Sequence, residues 1–230
     1  MTGYRFLQAT TIIGCLLAAG PLRAEAAPGS EIAIRLYDTF GAPKNDIRTA
    51  QDVAGAILEA AGIQARWREC WKDDDVARGA MRLCGDTLKP AEVIVRIVTD
   101  RSDHHNNLMA LGYSLVLAKS GASTLATVFG NRVTQVAQRL HFDRAILLGR
   151  AIAHEVGHLL LGTTDHGTDG LMRAYWSDAA LRGHDDGWRF SPQEADRIKA
   201  ELWARNVRKT DLLATNASVG ANIVRSEGTE

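Results

Sequence analysis

The sequence predicts an α/β fold, a twisted mixed β-sheet carrying a backing helix and a second, longer helix, with a small helical part at the C-terminal end. Three observations predict it. Short stretches alternate apolar and polar residues with the period of two that a half-buried strand requires. Between them lie segments with apolar residues at helical spacing. The order is strand, helix, several strands, long helix, irregular segment, terminal helix, which suits a mixed sheet with helices packed on it.

The elements can be taken in order. From Glu31 to Tyr37, Ile32, Ile34 and Leu36 share one side, and Ala33, Arg35 and Tyr37 the other. Gly41 to Asp46 is a turn cluster. Ile47 to Ala61 reads as the backing helix, with Ala50, Val53, Ala54, Ile57 and Leu58 on one face and Gly62 as its stop. Ile63 to Cys70 alternates again, and Lys72 to Asp86 is polar loop. Val93 to Val98 is β-branched and nearly continuous, as a central strand would be. Asp100 to Asn107 is a polar loop, and Tyr113–Ala118 and Thr124–Phe129 read as a hairpin. Asn131 to Leu140 is a short helix. Asp143 to Leu161 is the long one, with Asp143 as its cap, Ile146, Leu147, Ile152, Val156, Leu159 and Leu160 as apolar surface, and Gly162 just past its end. Ser191-Pro192-Gln193-Glu194 starts the terminal helix: serine caps, proline takes the first turn, and glutamate completes a capping box.

Composition bounds the rest. Hydrophobic residues make up 46% and charged residues 23%, which places the chain with soluble globular proteins. Lys+Arg and Asp+Glu are 27 each. A zero net charge gives no reason to expect nucleic acid or an anionic surface as partner. Arg5, the apolar run to Leu22 and Ala24-Glu25-Ala26 read as a signal peptide cleaved after Ala26. Secretion or periplasmic export follows, with no membrane insertion afterwards. A lipoprotein anchor at Cys15 is the weaker alternative, because the apolar run continues past it. In the exported chain, Cys70 and Cys84 are expected to pair as a disulfide. A cysteine latch on the site ranks below that bridge. Residues 27–209 form one domain, with subdomains 31–161 and 162–209, and 210–230 is a tail.

The chemistry concentrates in His154-Glu155-Val156-Gly157-His158. Two histidines four apart on a helix stand on one face, so both ring nitrogens can reach one Zn²⁺. Glu155 lies beside the first ligand, where it can serve as general base and acid toward a zinc-bound water. Catalytic zinc takes three protein ligands. After Gly162 redirects the chain, His166 is the first candidate for the third, ahead of Asp165 and Glu194. Asp103-His104-His105 and His184-Asp185-Asp186 read as solvated turns. His141 flanks the long helix. Asn216-Ala217-Ser218 matches a glycosylation acceptor within the tail.

The run from His154 to Met172 resembles the metzincin clan of zinc peptidases, whose pattern is H-E-x-x-H-x-x-G-x-x-H followed by a Met-turn. His154, Glu155 and His158 match position by position. Gly162 and His166 match in type, with one residue added before the glycine and one after it. Gly170-Leu171-Met172 follows closely. The stretch is similar to a group of exported bacterial metzincin-like proteins. The resemblance implies a zincin-like α/β architecture, a zinc cofactor and a metalloendopeptidase with peptide or protein substrates; a monomer is favoured, with the oligomeric state left open. It also implies that Met172 forms the Met-turn, and that Tyr175, three residues later, is an oxyanion stabiliser. Trp176 is read as packing. The edge strand Tyr113–Ala118 would line the cleft and bind an extended peptide. Two rival readings are an exported zinc-binding or interaction protein with a degenerate peptidase fold, and a cell-wall peptide amidase.

Overall fold

The computed structural model describes residues 30–70, 84–101, 110–117, 123–182 and 187–207. The signal segment with Cys15, the two Asp/His clusters and the tail motif at Asn216 lie outside these residues. Strands β1 (Glu31–Asp38), β2 (Gln64–Glu69), β3 (Glu92–Val98), β4 (Gly112–Leu115) and β5 (Leu125–Phe129) form one sheet in the order β2-β1-β3-β5-β4. All neighbours are parallel except β4, which runs antiparallel to β5 at the edge. Helix α1 (Lys44–Ala60) provides the long crossover that two parallel neighbours such as β1 and β2 require. Helices α2 (Gly130–Leu140), α3 (Arg144–Leu161) and α4 (Asp178–Arg182) follow, and a further helix, α5, spans residues 192–207.

The expected alternation determines what the sheet covers. Ile32, Ile34 and Leu36 of β1, Val93, Val95 and Ile97 of β3, and Ala126 and Val128 of β5 are buried. Strand pairing places them side by side on one face. Helices α1 and α3 pack against each other and over this sheet. At roughly 1.5–3 kcal/mol for each large aliphatic side chain, these residues supply the main drive for folding. The central position expected for Val93–Val98 is the one β3 occupies. Ile198 and Leu202 of α5 and Leu171, Met172 and Trp188 join the same core.

The opposite face carries an ion-pair cluster. Arg35 is 2% exposed although it stands on the polar side of β1. Its guanidinium donates to Glu92 at 2.5 Å and to the carbonyls of Cys84 and Asp86. A buried cation needs such compensation. The segment from Cys84 onward therefore folds over β1, held by the Cys70–Cys84 disulfide, whose Cα atoms lie 5.8 Å apart. The bridge consumes both thiols, so neither is available as a latch.

Two local details differ from expectation. Helix α1 begins at Lys44 and not at Ile47. Asp38 closes the preceding turn early, its carboxylate accepting from the amides of Phe40, Gly41 and Ala42. Pro43 then sits in the extended conformation that precedes a helix. Ile146, expected in the core, is half-buried in the first turn of α3.

The disulfide closes a short loop, so its loss is expected to lower unfolding free energy by about 3 kcal/mol. Urea unfolding of the Cys70→Ser/Cys84→Ser double variant against the oxidised protein checks this. Equal midpoints would contradict it.

Candidate metal centre and cleft

Helix α3 is buried along almost its whole length, from Leu147 to Leu160. Asp143 caps it, accepting from the amides of Ala145 and Ile146. Gly162 ends it in the left-handed conformation at φ 65°, with its amide bonded to the His158 carbonyl. The chain turns there and comes back toward the helix. That turn brings His166 to His154 and His158.

The three imidazoles converge. His154 Nε2 and His158 Nε2 are 3.1 Å apart, and His158 Nε2 and His166 Nε2 are 3.3 Å apart. Among the described residues, this is the group of histidine, cysteine and acidic side chains whose donor atoms fit one metal ion, all within 4.8 Å of one another. The other nitrogens explain the orientation. His154 Nδ1 donates to the Leu171 carbonyl and His158 Nδ1 to the Thr163 carbonyl, each at 2.9 Å. A carbonyl can only accept, so the proton sits on Nδ1 and the lone pair on Nε2. Burial keeps both rings neutral, with the His154 pKa lowered to about 4 and that of His158 lowered as well. Lone pairs so close repel unless a cation lies between them. A tetrahedral zinc with bonds of 2.0–2.1 Å holds its donors about 3.3 Å apart, so the cluster fits the ion.

Of the competing third residues, Asp165 and Glu194 stand outside this cluster. Asp165 is exposed, and its carboxylate accepts from the Thr163 hydroxyl at 2.9 Å. Glu194 accepts from the Ser191 amide at 2.7 Å while the Ser191 hydroxyl accepts from the Glu194 amide, so the predicted capping box is formed.

Met172 packs against α3 at Gly157. It is 1% exposed, and a Cβ added at Gly157 would meet its Sδ at 2.7 Å and the Phe190 ring at 2.7 Å. The glycine inside the H-E-x-x-H stretch is therefore what lets this segment approach α3. Leu171, one residue earlier, orients His154 through its carbonyl, which also accepts from Trp176 Nε1 at 3.4 Å. Trp176 packs edge-on against His154 and Trp188. His141 takes the left-handed position that ends α2, two residues before the α3 cap.

Glu155 is 6% exposed and lies beside the histidines. Burial raises its pKa to about 7, against a smaller lowering by the Ser114 hydroxyl. The centre opens into a cleft of about 310 Å³. Strand β4 forms one wall and Arg173–Trp176 another, with Val136, Ala151 and Leu181 also lining it. Tyr175 stands on the cleft wall and is 58% exposed. Sequence reasoning missed Gly112 and Ser114, because their contacts with Glu155 arise only when β4 lies against α3.

No family model matches the chain, and no curated protein matches it. Solved structures do. Metalloproteinase-II from Bacteroides fragilis matches with a TM-score of 0.51 and 13% identity, over 78% of this chain and 55% of that one. The chain thus spans about half the length of that protein. Archaemetzincin from Methanopyrus kandleri gives a TM-score of 0.46 at 13% identity, over 77% of this chain and 99% of that one. The first likeness shows the fold, an α/β, zincin-like arrangement of mixed sheet and helices.

Gly157→Ala is expected to cost about 1–3 kcal/mol through overpacking against Met172 and Phe190. Chemical denaturation measures it. An unchanged midpoint would mean that the methionine does not pack against α3 as described.

Proposed function

We propose that the chain is a secreted zinc metalloendopeptidase of the metzincin kind. The observation that carries the reading is the convergence of three imidazole Nε2 atoms beside a buried carboxylate in a cleft walled by a sheet edge. The likeness in fold to a protein described as a metalloproteinase points the same way. Export through a signal segment ending near Ala26 agrees with the disulfide, since such bridges persist in oxidising compartments. No helix among the described residues is long and apolar enough to cross a membrane. Residues 27–209 are the catalytic domain, with 31–161 its N-terminal and 162–209 its C-terminal subdomain.

His154, His158 and His166 would hold the zinc. When bound, zinc supplies Lewis acidity that polarises a carbonyl and acidifies water. Glu155 takes the proton of the attacking water as its oxygen bonds to the peptide carbon. It then delivers that proton to the amine as the C–N bond breaks. Among the described residues, strand β4 pairs with β5 on one side only. Its other edge offers backbone hydrogen bonds to an extended peptide, largely independent of sequence. Tyr175 extends from the opposite wall, where its hydroxyl would stabilise the oxyanion. Met172 supports the histidines from below.

Glu155→Gln is expected to keep one zinc per chain and to lower cleavage of an unfolded peptide library by about 10²–10⁴-fold. Metal analysis and mass spectrometry of the digest read both quantities. Full activity in the zinc-loaded variant would overturn the mechanism. A zinc-loaded wild-type protein without cleavage would overturn the peptidase reading in favour of a zinc-binding protein.

A further inference from the structure

Glu155 is held from the strand side by two residues of β4. Register puts Gly112 opposite Val128 and Ser114 opposite Ala126, so both face the same side of the sheet as those two buried residues. Helix α3 packs on this side. Tyr113 and Leu115, on the other side, are exposed. The strand thus presents its two smallest residues to the carboxylate. A Cβ at position 112 would meet Glu155 Oε1 at 2.9 Å and the Thr127 carbonyl at 2.5 Å. Ser114 Oγ lies 2.8 Å from Glu155 Oε2 and 2.7 Å from the Glu155 carbonyl.

We propose that Ser114 is a positioning residue for the proton transfers assigned to Glu155, its hydroxyl and the space left by Gly112 together holding the carboxyl in one rotamer. The proposal rests on the peptidase reading for its role in turnover. The holding itself can be measured without activity.

The chemistry of a hydroxyl explains why serine suits the position. It has one proton to donate and lone pairs to accept with. Toward an ionised Glu155, it donates to Oε2. Toward a Glu155 protonated on Oε2, the hydroxyl turns, donates to the Glu155 carbonyl and accepts from the carboxyl. That carbonyl can release the second bond, since helix carbonyls already accept from the amide four residues on. One side chain thus satisfies Oε2 on either side of a proton transfer, with only a hydroxyl rotation. A side chain that could only donate would lose its bond whenever the proton went to Oε2. Removal of the hydroxyl leaves a buried polar atom unpaired and frees the Glu155 side chain to sample other rotamers.

The test compares wild type, Ser114→Ala and Ser114→Thr, all loaded with zinc to the same stoichiometry. Side-chain NMR couplings and methylene relaxation of Glu155 report its rotamer distribution, and peptide cleavage gives kcat and KM separately. Ser114→Ala is expected to show rotamer averaging at Glu155. Its kcat is expected to fall roughly tenfold with KM little changed, the scale of one lost hydrogen bond. Ser114→Thr keeps the hydroxyl in a residue that suits a strand, and is expected to restore a single rotamer and most of kcat. A single Glu155 rotamer in Ser114→Ala would overturn the proposal whatever the activity. A loss of thermal stability with unaltered kcat would reduce Ser114 to a structural role and also overturn it. If the wild type cleaves nothing while Glu155 is ordered and Ser114→Ala averages, the peptidase reading fails and the positioning claim stands.

Discussion

Two imidazoles of α3 donate from Nδ1 to backbone carbonyls that lie beyond the helix end, at Thr163 and Leu171. Those two bonds decide which nitrogen of each ring carries a lone pair, and so decide that the lone pairs meet. The carbonyls reach their positions through a chain path of short range. Gly162 reverses the direction after α3. Gly167 then donates to the Met172 carbonyl at 2.8 Å, which closes the loop that carries His166 and Leu171. Without the turn at Gly162, neither the third imidazole nor the acceptor for the first would stand near the helix.

The same helix must be buried for the chemistry to hold. A histidine pair or glutamate on an open surface is solvated and screened, and its pKa stays near the ordinary value. Here the sheet covers α3 from one side, and Met172, Leu181 and Phe190 lie against it from the other. Ala126 and Val128 give it an apolar bed, while Gly112 and Ser114 leave room for the Glu155 carboxyl. Met172 and Phe190 press close on Gly157. The layers therefore set both the burial of α3 and the direction of its side chains. The polar reverse of the sheet, with Arg35 paired to Glu92, plays no part in the cleft.

Local patterns carried much of this into the sequence. Strand alternation at Ile32–Leu36, the cap at Asp143 and the box at Ser191–Glu194 are short-range signals, and each appears in the structure where its spacing placed it. The histidine cluster was legible because two of its members lie one helical turn apart and the third follows the glycine that ends the helix. What stayed hidden depends on contacts between distant segments. Arg35 is buried by carbonyls about fifty residues away. Gly112 and Ser114 look like ordinary hairpin residues until β4 is placed at the sheet edge against α3. The early start of α1 depends on Asp38, whose carboxylate accepts from three amides of the turn before it.

The central claim is that three imidazoles, and no carboxylate, share one zinc ion. X-ray absorption at the zinc edge of the loaded protein reads this directly. Three histidine nitrogens and one further light atom at about 2.0–2.1 Å are expected. The imidazole scattering is expected to fall from three rings to two in His166→Ala. A wild-type spectrum fitted by two imidazoles and a carboxylate, or one that His166→Ala leaves unaltered, would contradict the claim.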